Sequence, residues 1–313
     1  MERLYNDGDV PNRLRGSIMA LGNFDGFHAG HQAVVGQAIA RARGEGRPVI
    51  VATFDPHPAR LFHPDAPPFR LTSLDQRERL FGAAGADAMM VFRFDRVMAA
   101  LGPAEFTRLL VEGMGAAGVV TGLDFTFGKG RSGDVPSLAS LGKTLGLAVE
   151  AVAPVADEDG LVISSSRIRD ALHAGDCATA TRLLTRPFAI EGEVQHGDKV
   201  GRTLGFPTAN VSLGSFLRPA YGVYAVRGRL ADGRMLDGAA NLGIRPQFDP
   251  PKELLEPHFF DFSGDLYGQV VEVQMIERIR GEAKFDGLDA LTRQIARDCE
   301  TARRILADKA RVA

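Results

Sequence analysis

Residues 22–31 read Gly-Asn-Phe-Asp-Gly-Phe-His-Ala-Gly-His and follow directly on the apolar run Ser17–Leu21. A buried strand therefore ends in a glycine-rich turn. The turn opens a helix, expected over 32–40, with His28 and His31 at its mouth. The first turn of a helix carries N–H groups with no partner inside the helix and a positive partial charge. Glycines let a phosphate come close to that backbone. Two imidazoles add hydrogen-bond donors suited to a polyphosphate. The arrangement suits nucleotide chemistry at a phosphorus atom. Paired histidines also leave zinc binding open, without a clear third ligand in the sequence.

The 313 residues suffice for two domains. Up to about Leu184 short apolar runs alternate with helical patterns. Strands are expected at 17–21, 48–54, 88–92, 118–121 and 148–152. Ser73 with Gln76 makes a capping box, and Pro103 sits at a first helical turn. Strands separated by helices imply right-handed crossovers and a doubly wound parallel (Rossmann-like) sheet. Such sheets bind ligands beyond the carboxyl ends of their strands, where the Gly22–His31 turn falls.

After Arg186-Pro187 the rhythm changes. Runs at 189–196, 222–230, 235–241, 254–260 and 269–280 read as strands joined by turns, with no helices between them. This predicts an antiparallel β-barrel. A last helix carries Leu288, Leu291, Ile295, Cys299, Ala302 and Ile305 on one stripe. The boundary between an α/β domain (1–186) and the barrel domain (187–313) is placed near residue 186.

The 37 basic and 39 acidic residues leave a formal net charge of −2, which argues against a broadly basic nucleic-acid binder. No apolar run is long enough to span a bilayer, and the amino terminus lacks a signal-peptide core. Cys177 and Cys299 have neither disulfide-framework nor zinc spacing. A cytoplasmic location is expected. The sequence does not specify an oligomeric state.

Other segments carry chemistry in context. Thr53-Phe-Asp-Pro-His-Pro58 follows the second strand, on the same sheet edge as the first turn. Gly128–Gly133 has G-x-G-x-x-G spacing but does not follow the first strand, so it reads as a mobile basic loop. Gly142-Lys-Thr144 lacks the P-loop glycine, because position 137 is Ser. Ile163-Ser-Ser-Ser-Arg-Ile-Arg169 sets three hydroxyls at a helix start, either as caps or as anion ligands, and sets Arg167 and Arg169 against the dipole, a mismatch that an anion clamped there would relieve. In the second half, Gly197–Arg202 reads as a flexible basic loop. Thr208 and Asn210 offer neutral oxygens suited to Mg²⁺ shared with phosphate. Glu256 interrupts an apolar strand, either as a solvated residue or as a general base. Pro257 beside it marks an edge or bulge.

Taken in order, these motifs resemble the bacterial bifunctional riboflavin kinase/FMN adenylyltransferase family, the FAD synthetases, over nearly the whole chain. Gly22–His31 looks like the HxGH signature of nucleotidyltransferases. Gly122–Gly128 with Arg131 and Gly133, then Ile163–Arg169, resemble the flavin branch. Gly205-Phe-Pro-Thr-Ala-Asn210, Tyr221–Tyr224, Asn241–Pro246, Leu255–His258 and Arg280–Phe285 resemble the kinase half. Ser166 and Gln247 stand where the family usually has Thr.

The resemblance implies two reactions: riboflavin and ATP give FMN, then FMN and a second ATP give FAD and pyrophosphate, with Mg²⁺ at both sites. It implies His28 and His31 as catalytic groups of the adenylyl site. There ATP would meet Gly22, Asn23, Phe24, Asp25, Gly30, Ser164, Ser165 and Arg169. Flavin or nucleotide would meet Phe54, Asp55, His57, Asp124, Phe125, Phe127 and Arg131. In the kinase half it implies Glu256 as base, with Lys199, Gly201, Arg202, Thr208 and Asn210 on ATP. Thr208 and Asn210 would bind Mg²⁺, and Arg280, Glu282 and Phe285 would bind flavin.

Overall fold

The structure is a computed structural model that describes residues 1–196, 205–245 and 252–310. Packing divides the chain into two compact units: Met1–Pro67 with Leu74–Ser164, and Pro68–Ser73 with Ser165–Ala313.

The first unit is built on β1 (Glu2–Tyr5), β2 (Ser17–Leu21), β3 (Val49–Asp55), β4 (Ala88–Arg93), β5 (Ala116–Gly122), the two-residue strands β6 (Thr126–Phe127) and β7 (Gly133–Asp134), and β8 (Ala148–Val152). Six of these form a parallel sheet in the order β1-β4-β3-β2-β5-β8. Its helices are α1 (Ala29–Glu45), α2 (Pro58–Phe62), α3 (Leu74–Ala84), α4 (Arg96–Ala100), α5 (Pro103–Arg108) and α6 (Val135–Thr144). Side chains alternate along β2. Met19 and Leu21 join one core with Phe92, Phe106 and Leu138, while Ile18 and Ala20 join another with Val35, Ala38 and Phe81. Both faces are covered, which is why β2 reads as unbroken apolar sequence. The four expected strands after the first lie within a few residues of their observed bounds, and β1 adds an edge strand that the sequence reading did not include.

The second unit begins with α7 (Ser165–Ala174) and α8 (Cys177–Leu184). Then follow β9 (Phe188–Gln195), β10 (Asn210–Ser212), β11 (Gly222–Arg229), β12 (Met235–Arg245), β13 (Lys252–Phe259), β14 (Val270–Arg280) and α9 (Leu288–Ala310). The six strands close into an antiparallel barrel in the order β10-β13-β12-β11-β14-β9. Helix α9 covers part of the outer wall, where Ala302 and Leu306 pack on Ala225, Ala239 and Ile276. Strand β13 is paired on both sides. The edge or bulge expected from Pro257 is therefore not observed: Pro257 stands opposite Ala240 of β12, and its carbonyl accepts from the Ala209 N–H at 2.9 Å on the other side.

One buried polar network fixes the first turn. Arg77 of α3 is 1% exposed, and its guanidinium reaches Asp25 Oδ1 (3.3 Å), Thr53 Oγ1 (3.0 Å) and the Asn23 carbonyl (3.4 Å). Thr53 Oγ1 also donates to the Asn23 carbonyl at 2.6 Å. The network thus ties α3 and the end of β3 to the turn after β2. Removing one partner of a buried ion pair leaves the other charge in a poor solvent. Arg77→Met should destabilise the first unit by about 3–5 kcal/mol. With Asp25→Asn already present, the same change should cost much less in chemical denaturation. Equal costs in both backgrounds would contradict the coupling.

Burial pushes the thiols of Cys177 and Cys299 up to about 11. Both should therefore stay protonated and react slowly with a disulfide reagent at pH 8. Two thiols should appear only after denaturation, and a fast native burst would contradict this.

Candidate functional site

The first turn needs unusual backbone. Phe24 (φ 49°), Gly26 (φ 89°) and Phe27 (φ 44°) all lie in the left-handed region. For two phenylalanines this conformation costs on the order of 1–3 kcal/mol each. Packing holds them there. Phe81 meets the rings of Phe24 (5.9 Å) and Phe27 (5.0 Å) edge-on, and Phe24 meets His31 at 5.3 Å.

Helix α1 starts at Ala29, earlier than the sequence reading placed it, because His28 is its N-cap. The His31 N–H donates to His28 Nδ1 at 3.3 Å, and the two rings stack with centroids 3.6 Å apart. A neutral imidazole that accepts at Nδ1 carries its proton on Nε2. Cβ atoms on residue 30 would stand 3.2 Å from the His28 ring, so Gly30 is what lets that ring fold over the helix start. The carbonyl of Ile163 lies 3.5 Å from the same point. Asp25 is buried in the Arg77 network, Asn23 is exposed, and Gly22 leaves room for the Phe24 ring.

Three of the aromatic candidates fall in one cluster on this unit. Phe106, which the sequence reading left out, joins Phe54 (6.4 Å) to Phe127 (5.4 Å), and Phe125 stacks on Phe127 at 5.8 Å. Asp55 ends β3, and His57 caps α2 by accepting from the Ala59 N–H at 3.2 Å. Asp124 is exposed beside Gly122, and Arg131 Nε donates to Thr126 Oγ1 at 2.8 Å. Ser164 closes the first unit, whereas Ser165 and Arg169 belong to α7 of the second. There Arg169 Nε donates to the Phe69 carbonyl at 2.9 Å, with the guanidinium over the Phe69 ring at 5.3 Å.

On the barrel, register does the assembling. β10 and β13 pair Val211 with Leu255, and the Ala209 N–H donates to the Pro257 carbonyl at 2.9 Å. The same register sets Asn210 opposite Glu256. On the other side of β13, Glu256 stands opposite Asn241 of β12. Residues directly opposite in an antiparallel pair share a face. Asn210, Glu256 and Asn241 thus form one polar row across three strands, with half-buried Thr208 two residues before Asn210. Asn241 was not read as a site residue, because only strand register reveals its neighbour. His258 Nδ1 contacts the Pro207 carbonyl at 2.8 Å, fixing the approach to Asn210.

Arg280 is held by the buried Asp298 of α9, with Nη2–Oδ2 at 2.7 Å, and its guanidinium lies over Phe285 at 5.5 Å. Glu282 is exposed, with its carboxylate against Gly243. Lys199, Gly201 and Arg202, like Gln247, lie outside the described residues. Among the described residues no group of three or more His, Cys, Asp or Glu side chains is placed to hold a metal ion, and no helix is long and apolar enough to cross a membrane.

Comparison with known proteins matches both units. Residues 10–167 match the FAD synthetase family model, and residues 184–306 match the riboflavin kinase model. Bifunctional riboflavin kinase/FMN adenylyltransferase of Escherichia coli K12 is 42% identical over 301 residues, 96% of this chain and 95% of that protein. The Bacillus subtilis protein of the same description is 39% identical, covering 91% of each chain. A crystal structure described as a macrolide-efflux protein from Streptococcus pneumoniae aligns with a TM-score of 0.85 at 33% identity, over 97% of this chain and 99% of that one. The parallel-sheet unit, the closed barrel and these matches along the whole chain place it in the family of bifunctional riboflavin kinase/FMN adenylyltransferases, with both activities.

Proposed function

We propose that the two activities are divided along the sequence, with FMN adenylyltransferase in 1–186 and riboflavin kinase in 187–313. The observation that carries the reading is the placement of Glu256 opposite Asn210 on one face of the barrel. A carboxylate is there side by side with a neutral oxygen ligand, as a base and a phosphate-binding group need to be.

In the kinase half, Glu256 takes the proton of riboflavin's terminal ribityl hydroxyl while that oxygen bonds to the γ-phosphorus of ATP. The bond from the γ-phosphorus to the β,γ-bridging oxygen breaks, and ADP leaves. Phosphoryl transfer asks mainly for positioning and charge neutralisation. Thr208 and Asn210 would hold Mg²⁺, which screens phosphate charge when bound. Two neutral oxygens suit an ion that keeps phosphate and water in most of its shell, and among the described residues no acidic cage stands beside them. Arg280, braced by Asp298, and Phe285 form a guanidinium-over-ring surface for the flavin.

In the first half, an FMN phosphate oxygen attacks the α-phosphorus of ATP, and the bond to the α,β-bridging oxygen breaks to release pyrophosphate. His28 donates from Nε2, since its Nδ1 is engaged by the His31 N–H. Together with His31 and the first N–H groups of α1, it stabilises charge growing on the α-phosphate. Asp25 acts here by fixing the turn through Arg77. The Phe54–Phe106–Phe127–Phe125 cluster offers an apolar wall for a flavin ring. ATP as substrate and two thiols held as free cysteines fit a reducing cytoplasm.

His31→Ala should slow FAD formation from supplied FMN by about 100-fold or more and leave FMN production from riboflavin near normal. Equal loss of both in folded protein would contradict the division. Glu256→Gln should slow riboflavin phosphorylation by about 100- to 10,000-fold while sparing FAD synthesis from FMN. A full-rate kinase in that variant would end the assignment of Glu256 as base. Chromatographic separation of riboflavin, FMN and FAD reads both.

A further inference from the structure

On β12, residues 239, 241 and 243 face the same side of the barrel wall. At Ala239 that side is sealed, since Ala239 packs among Ala225, Phe260, Ala302 and Leu306 beneath α9. Two residues on, half-buried Asn241 stands opposite Glu256. Two further on, Gly243 leaves a gap. The point where its Cβ would sit is 2.2 Å from Glu282 Oε1 and 3.4 Å from Asn241 Nδ2. A carboxamide therefore stands with one carboxylate across the strand and another just along it.

This order has a chemical meaning. Carboxylates only accept hydrogen bonds, whereas an amide both donates and accepts. A phosphate at neutral pH also only accepts, and two carboxylates repel it. A chain of vicinal hydroxyls can donate to each acid and exchange bonds with the amide between them. The Asn241 end of the polar row therefore suits a polyol, and the Thr208–Asn210 end suits the nucleotide.

We propose that Asn241 is a specificity residue of the kinase site: its carboxamide binds a ribityl hydroxyl next to the one that loses its proton, and Gly243 is a glycine so that Glu282 can complete the row. The proposal rests on Glu256 being the base. It gives Asn241 a substrate contact and Gly243 a positioning role through Glu282.

The test is steady-state phosphorylation by the full chain of riboflavin and of its L-lyxityl isomer, which is inverted only at the hydroxyl-bearing carbon next to the terminal one. Asn241→Ala, and the isosteric Asn241→Asp, which swaps the donor for a third acid, should raise the riboflavin KM about tenfold. kcat should change less than KM. The preference for riboflavin over the lyxityl isomer should shrink, and FAD formation from supplied FMN should not change. Gly243→Ala should displace only the flexible end of Glu282. It should raise KM with little change in unfolding midpoint, and add nothing in a Glu282→Ala background. An unchanged KM and isomer preference in the Asn241 variants, with Glu256→Gln inactive as a kinase, would overturn this proposal alone. An active Glu256→Gln kinase would overturn the base assignment and this proposal together.

Discussion

Side chains alternate between the two faces of a strand, and the polar row on the barrel of this protein hangs on that alternation. Val211, Leu242 and Leu255 are 0% exposed and line the barrel core, while their neighbours Asn210, Asn241 and Glu256 form a polar row on the other face. A slip of one residue would drive Glu256 into the core and turn Leu255 outward. The closed barrel resists such a slip, because β13 is locked to β12 over eight residue pairs and to β10 on its far side. The Ala209–Pro257 bond extends that lock past the short β10 to the Thr208–Asn210 segment. A loop whose own sequence supplies no register is thereby aligned with a strand some fifty residues away in sequence.

The first unit meets its own positioning problem in another way. A parallel sheet gives a carboxyl edge where ligands collect, but the turn after β2 must hold Phe24 and Phe27 in strained backbone. Apolar packing on Phe81 and the Arg77 fork supply the restraint, both from α3. One helix far along the chain therefore sets the turn that places two histidines at the start of another. Buried ion pairs of this kind add little net stability yet specify one arrangement, which is the demand here.

The sequence made some of this readable and hid the rest for definable reasons. The strands 17–21 and 148–152 were legible to the residue, because short, mostly apolar runs between helical patterns leave little choice, even with Glu150 inside the second. The HxGH turn and the Pro-Thr-Ala-Asn element were legible through residue types that have few other uses together. Strand β1 was not, since Glu2–Tyr5 is short, mostly polar and paired on one edge only. Strand β10 was missed because its three residues follow directly on a proline-containing turn. Arg77 carries no local signal of its role, because its partner Asp25 lies 52 residues away. Asn241 sat in plain view within a motif, but its neighbour Glu256 emerges only from register. Long-range pairings are what local patterns cannot carry.

On the proposed division, one chain bears two self-sufficient phosphorus chemistries, one on a sheet edge and one on a barrel wall. The most direct measurement mixes two purified single variants, one lacking the histidine at position 31 and one lacking the carboxylate at position 256. The mixture is given riboflavin, ATP and magnesium. Each protein alone should stop short of FAD, and the mixture should accumulate it, because FMN made by one is adenylated by the other. A mixture that makes FMN but no FAD, although the second protein adenylates FMN supplied directly, would contradict the independence of the two sites.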